Sequence, residues 1–339
     1  MAQSRPARAS LAVLAGAIIV IPSLAGCGGG VPSGASRQAT ASSDARSDAS
    51  ECGKSLVYVT SYDNSVYIYD QTHNAKKACG QITGVTDPQG LFVDKHRNLW
   101  VAISGDCKTQ FSSVLEFAPG NPKPIKTLTD AAGSASDVAV DNASGTVYVT
   151  NFFDYTKGCA SGNNGAVEVY ANGSTTPTGT LTDPHMTYAF NDAVDDKGNV
   201  YVTYLQVNGP SGSGRIDEWL GGAGSPVDLG ITLKAPGGIA TTASGALLVC
   251  DQSVACGDFA PGSTTMTNLF ATKNPGSFGV ALDKREKHAW VENPGLGAGQ
   301  LQRYVYPGPD TRATQSITVP GGGYAGVALS PAAPQGQPY

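Results

Sequence analysis

From residue 52 onward the chain alternates short apolar strands with turns, and the alternation repeats along its length. One template recurs: an apolar strand ending in Val-Asp or a close variant, a tight turn, a second strand of the Val-Tyr-Val type, and a third strand ending in an aromatic. The first strand is seen in Gly90-Leu91-Phe92-Val93-Asp94, Asp137-Val138-Ala139-Val140-Asp141 and Asn191-Asp192-Ala193-Val194-Asp195. It returns as Gly238-Ile239-Ala240-Thr241-Thr242, Gly279-Val280-Ala281-Leu282-Asp283 and Gly326-Val327-Ala328-Leu329-Ser330. The second strand follows as Leu99-Trp100-Val101, Val147-Tyr148-Val149, Val200-Tyr201-Val202, Leu247-Leu248-Val249 and Ala289-Trp290-Val291. The third ends at Phe117, Tyr170, Trp219 and Tyr304, is degenerate at Asp258-Phe259, and precedes a fourth, polar strand such as Ile125-Lys126-Thr127-Leu128.

Short β-branched and aromatic strands fit a half-buried pleat, and the Gly, Asn and Asp between them supply turns. Four antiparallel strands roughly every 41 to 54 residues predict the blades of a propeller. The ends of the chain predict closure. Leu56-Val57-Tyr58-Val59 and Val66-Tyr67-Ile68-Tyr69 read as second and third strands with no first strand before them, and Gly326–Ser330 is a first strand with no second after it. Joined, they complete one blade and remove a sheet edge that would invite aggregation. The expected fold is all-β, a six-bladed β-propeller of four-stranded antiparallel blades over residues 52–330, closed by pairing of the C-terminal strand with the N-terminal blade, with 331–339 as a flexible tail.

The N-terminus has a different pattern. Arg5 and Arg8 precede an apolar run from Leu11 to Leu24, too short and wrongly flanked for a spanning helix, so residues 1–26 read as a signal peptide. The string Leu24-Ala25-Gly26-Cys27 resembles the lipobox of bacterial lipoproteins. The resemblance implies cleavage before Cys27 and its lipidation, which anchors the protein on an extracytoplasmic membrane face. Gly28 after the cysteine resembles the outer-membrane sorting pattern if the cell has two membranes. Residues 27–51, rich in Gly, Ser, Ala, Asp and Arg with no aromatic, are expected to be a disordered tether, because they cannot bury enough apolar area to offset ordering.

Composition supports this picture. Of 339 residues 43 are Gly and only 14% are charged, which suits many turns and little helix surface. A net charge of −5 argues against nucleic acid, whose phosphates need a basic surface. The domain is expected to be a monomer. Seven cysteines less the lipidated one leave six, an even number in an oxidising compartment. Topology suggests Cys250–Cys256 as a hairpin clip, Cys107–Cys159 on one rim of adjacent blades, and Cys52–Cys79 on the opposite rim, tying down the start of the domain.

Asp94, Asp141, Asp195 and Asp283 each end a first strand, where Asp bonds its own turn, so a structural role is expected. The column four residues earlier reads Gly90, Asp137, Asn191, Gly238, Gly279, Gly326. Glycine suits six strands crowding at the channel mouth. Two neighbouring blades break the rule, and with Asp192 they bring three oxygen-bearing side chains towards the axis. A hard cation such as Ca²⁺ or a polyhydroxyl ligand would suit them. Rim aromatics are a second candidate: Phe152, Phe153, Tyr155, Tyr188 and Tyr204, joined by Phe190, in loops that suit a protein or carbohydrate partner. No Ser/His/Asp grouping and no Gly-rich phosphate loop is found, so no catalytic residue is assigned and no cofactor other than such a cation is called for.

The template resembles NHL-repeat propellers, and more distantly the gluconolactonase/regucalcin propellers. The first resemblance implies a non-catalytic binding or interaction scaffold. The second implies a metal-dependent hydrolase or lactonase using the channel mouth, with a divalent metal held by an early Glu and by later Asn and Asp. Asn191 matches that later Asn, just before a first strand, but no Gly-Glu-Gly-Pro-x-Trp string occurs. The binding scaffold is therefore the first expectation and the hydrolase the alternative.

Overall fold

The computed structural model of the protein describes residues 52–72, 76–105, 111–130, 133–154, 164–207, 213–271, 277–294, 299–309 and 312–333. These form six four-stranded antiparallel sheets, with no α-helix among the described residues. The first blade is composite: β1 (Leu56–Ser61), β2 (Ser65–Asp70) and β3 (Gly80–Thr83) are completed by β24 (Gly323–Ser330) on the inner side. Blade two begins with β4 (Pro88–Val93) and β5 (Leu99–Ile103), and blade three with β8 (Gly133–Val140) and β9 (Val147–Asp154). Blade four has β12 (Tyr188–Val194), β13 (Val200–Gln206) and β14 (Ser213–Trp219) as its first three strands. Blade five is led by β16 (Pro236–Thr241), β17 (Leu247–Asp251) and β18 (Ala255–Phe259), and blade six by β20 (Gly279–Leu282) and β21 (His288–Asn293). Inner strands contact one another in the cyclic order β24, β4, β8, β12, β16, β20 and back to β24.

Closure is as the sequence predicts. β24 lies antiparallel to β1 with Val57 opposite Leu329, Tyr58 opposite Ala328 and Val59 opposite Val327. The first and last strands of the domain thus hydrogen-bond in one sheet, and no inner edge is left unpaired.

The core consists of six layers, one in each gap between blades. Between blades two and three, Trp100, Val114 and Leu128 meet Val138, Val149 and Tyr170. Between blade six and the composite blade, Trp290, Leu301 and Ile317 meet Val57, Tyr69 and Leu329. Each layer is the product of period-two alternation on two facing sheets.

The aspartates that end the first strands are turn residues. Asp94 accepts from the amides of His96 and Asn98 and from Trp100 Nε1, and Asp195 accepts from the amides of Lys197 and Asn199 and from the Tyr201 hydroxyl. In the fifth blade Thr242 takes this place and accepts from the Ala246 amide.

Two disulfides are described. Cys52–Cys79 joins the chain ahead of β1 to the start of β3, with a Cα separation of 5.2 Å. Cys250–Cys256 links directly opposed residues of β17 and β18. Cys107, Cys159 and Cys27 lie outside the described residues. Ala332, assigned to the tail by the sequence pattern, bridges to Asp283, and both Ala332 and Ala333 line the channel.

Candidate functional site

The start of each inner strand and the end of the second strand paired to it share one rim, because the pair is antiparallel. Asp137 lies opposite Thr150, Asn191 opposite Thr203, and Gly279 opposite Glu292. The glycine column has a physical cause. A Cβ on Gly326 would stand 2.3 Å from the Gln89 carbonyl oxygen, and one on Gly238 would stand 2.7 Å from the Val280 amide nitrogen. At this level each inner strand is pressed against the backbone of the next.

Asp137 fits because blade two offers it Gly90, where a Cβ would collide with the Asp137 carboxylate. Its carboxylate is well supplied with donors. Oδ1 accepts from the Val138 amide at 2.9 Å, and Oδ2 accepts from Asn191 Nδ2 at 2.9 Å and from the Asp192 amide at 3.2 Å. Asp192, 5% exposed, contrasts with it: neither carboxylate oxygen has a hydrogen bond of normal geometry, although the Thr150 hydroxyl faces it closely enough to favour its charged form. Burial raises the pKa of both carboxyls, and the Asp137 charge raises that of Asp192 further. Two interacting carboxyls titrate as a pair. Asp137, with its three donors, is the better placed to hold the negative charge, and Asp192 the better placed to hold the proton.

All three residues line the axial channel, whose volume is about 110 Å³. Below them its walls are small and apolar, among them Ala193, Ile239, Val280 and Val327. Such a space holds a few waters or a compact group.

Nearer the rim of the same gap stands an aromatic cluster. Phe152 stacks on Tyr188 with centroids 5.0 Å apart, and meets Phe153 and Phe190 edge-on at 4.6 and 5.1 Å. Phe153 also meets Tyr188 edge-on at 5.4 Å. β9 rises from Thr150 to Phe152 while β12 descends from Tyr188 to Asp192, so the rings sit above the Thr150–Asp192 level. At about 3.3 Å per residue, two residues separate the levels by roughly 7 Å. The four rings are half-buried.

Of the other rim aromatics, Tyr155 lies outside the described residues, and Tyr204 departs from expectation. Because β13 continues to Gln206, Tyr204 remains inside the sheet, only 2% exposed, in the core layer between blades three and four. Its hydroxyl donates to Asp217 Oδ1 at 3.2 Å.

Among the buried carboxyls of the described residues beyond the sequence-derived candidates are Asp217 and Glu292, both with an unpartnered oxygen. Asp217, on β14, keeps Oδ2 unpartnered; burial above all, then Asp183, pushes its pKa up to about 7. Glu292, at the end of β21, is fully buried with both oxygens unpartnered, and burial raises its pKa well above the ordinary range. Its carboxylate occupies the space a Cβ on Gly323 would need, so it faces the gap between blade six and the composite blade. In a six-membered ring that gap is diametrically opposite the Asp137–Asp192 gap. Glu292 had a readable signal: the residue after the second-strand valine is Thr60, Ala102, Thr150, Thr203, Cys250 and Glu292, a column otherwise of small side chains.

No protein-family model matches the chain, and no curated protein matches it.

Proposed function

We propose that the chain is an exported lipoprotein, anchored through Cys27 to an extracytoplasmic membrane face, whose propeller is a non-catalytic scaffold that binds a partner on the rim carrying Asp137, Asn191 and Asp192. Partner here means a protein or a carbohydrate. One observation carries the proposal: a buried carboxyl pair and a half-buried cluster of four aromatic rings occupy one inter-blade gap on one rim. Rings that keep part of their surface exposed beside buried polar groups are typical of recognition surfaces. Net negative charge agrees with a protein or carbohydrate partner rather than nucleic acid.

A metal-dependent hydrolase is the second reading, favoured by the unpartnered carboxylate of Asp192. The residues do not fit it well. Ca²⁺ takes six to eight oxygens, whereas the mouth offers two carboxyls and an amide that points its NH₂ at Asp137. Among the described residues no three His, Cys, Asp or Glu side chains stand together as a metal would require.

The experiment has two arms. Growth with an alkynyl fatty acid should label the wild-type protein and leave Cys27→Ala unlabelled; an unlabelled wild type overturns anchoring. A photo-crosslinking residue at Phe153 should trap a defined partner that one at Lys197, on the opposite rim, does not. Identical products from both positions, or none, overturn the rim assignment.

A further inference from the structure

We propose that the mouth between blades three and four is a binding site for a primary alkylammonium group, the end of a lysine side chain or of a free alkylamine. The inference rests on the rim-binding reading above and names the chemistry that the rim recognises.

The two carboxyls have more acceptor capacity than the protein satisfies. Asp137 receives three donors, but Asp192, at least nine-tenths buried and facing the channel, has no hydrogen bond of normal geometry to either oxygen. A buried polar group left in this state costs free energy unless something supplies a donor. An ammonium supplies three N–H donors and one positive charge from a compact head, which the channel of about 110 Å³ accommodates. A hard metal ion needs a wider oxygen shell than the site offers.

The rim above supplies the second half of the match. Phe152 and Phe190 stand two residues, or roughly 7 Å, above the Thr150–Asp192 level, with Tyr188 stacked on Phe152. That is the reach of a four-carbon stem. An alkylammonium entering from this rim lays its methylenes along the rings and brings its head to Asp192. The apolar floor of the channel, Ala193 and Val280 among others, offers nothing to a second charge. A single ammonium on an aliphatic stem is therefore preferred over a dication.

The test is calorimetric titration of the intact protein with n-butylammonium chloride, with Nα-acetyl-lysine N-methylamide, with the Nε-acetylated form of the latter, and with calcium chloride. The first two should bind and the acetylated form should not. Asp192→Asn should weaken amine binding at least about tenfold while the circular dichroism of the propeller is retained. Preference for the lysine derivative points to a protein as the source of the ammonium, and preference for butylammonium to a small metabolite; both support the site. Absence of amine binding at millimolar concentrations overturns it. So do equal binding of the acetylated form, an unchanged affinity in Asp192→Asn, and calcium binding without amine binding. The lysine-versus-acetyl-lysine contrast uses wild-type protein alone, so it decides the question even if the variant fails to fold. A specific cross-link from Phe153 in a protein that ignores amines would leave the rim-binding function standing and this inference refuted.

Discussion

Asn191 Nδ2 donates a 2.9 Å hydrogen bond to Asp137 Oδ2, joining two residues 54 apart in sequence that hold the same register position on neighbouring blades. In four of the six blades that position is glycine, so that backbones can meet. Between blades three and four a side-chain bond replaces the backbone approach. The exchange puts a carboxylate and an amide where the fold needs neither, which is the reason for regarding this gap as functional.

Asp137→Ala removes the acceptor of Asn191 Nδ2 and that of the Asp192 amide. Each buried donor left unsatisfied costs about 1–3 kcal/mol. We expect a loss of roughly 2–4 kcal/mol in urea unfolding, with the propeller still formed. Asp192→Asn should cost much less at neutral pH, because it replaces a buried carboxyl that holds its proton with a neutral amide of the same shape. Destabilisation by both substitutions to the same degree would argue that the gap is ordinary packing.

The pH dependence of stability should carry the mark of Glu292. Unfolded, its carboxyl loses its proton in the ordinary range, near pH 4; folded, burial holds the proton to much higher pH. Between these limits the folded state binds more protons than the unfolded one, so stability falls as pH rises. The contribution is complete below the unfolded pKa and is lost as pH passes through the folded one. Asp217, raised to about 7, adds to the same decline, its share of which ends near neutrality. We expect the melting temperature to drop between pH 5 and 8, and to drop less in Glu292→Gln. Parallel curves for the two proteins would mean that Glu292 does not hold its proton in the fold.

The architecture was readable because every blade repeats one solution, so six weak strand patterns reinforce one another. The break at Asp137 and Asn191 was readable for the same reason: a repeated column makes an exception visible. Tyr204 was misjudged because strand length is set by neighbours. β13 keeps its pairing with β14 out to Gln206, so a residue that looked like loop stays in the sheet and turns inward. Glu292 escaped because the apolar motif Ala289-Trp290-Val291 ends one residue before it. Its burial depends on Gly323, 31 positions later, a contact made only when the ring closes. The carboxyl-to-ring juxtaposition likewise depends on β9 meeting β12, which no local pattern encodes.

The two disulfides should differ in their worth. Cys52–Cys79 spans 27 residues and Cys250–Cys256 spans 6. Constraining the unfolded chain is worth about 3.6 kcal/mol for the longer loop and about 2 kcal/mol for the shorter on the loop-entropy estimate. The longer clip also fastens the chain ahead of β1, the strand onto which β24 zips. We expect Cys52→Ser/Cys79→Ser to lose more stability in guanidinium than Cys250→Ser/Cys256→Ser. The reverse order would show that the hairpin clip carries native-state packing beyond its loop effect, a real alternative because both of its cysteines are fully buried.

Ring closure itself can be tested with one methyl group. Gly326 lies on β24, where a Cβ would come within 2.3 Å of the Gln89 carbonyl oxygen and 3.0 Å of the Leu91 amide, both on the inner strand of blade two. These are backbone atoms, which can give way only if the composite blade and blade two separate. Gly326→Ala should therefore cost several kcal/mol, comparable with overpacking a rigid core or more. Gly120→Ala is the control: that glycine has open space around it but a φ of +72°, so the added methyl meets only the milder left-handed penalty of about 1–2 kcal/mol. Urea unfolding of the two variants should rank Gly326→Ala well below Gly120→Ala. If Gly326→Ala were as stable as wild type, β24 could not be wedged against blade two as described, and the closed ring would have to be abandoned.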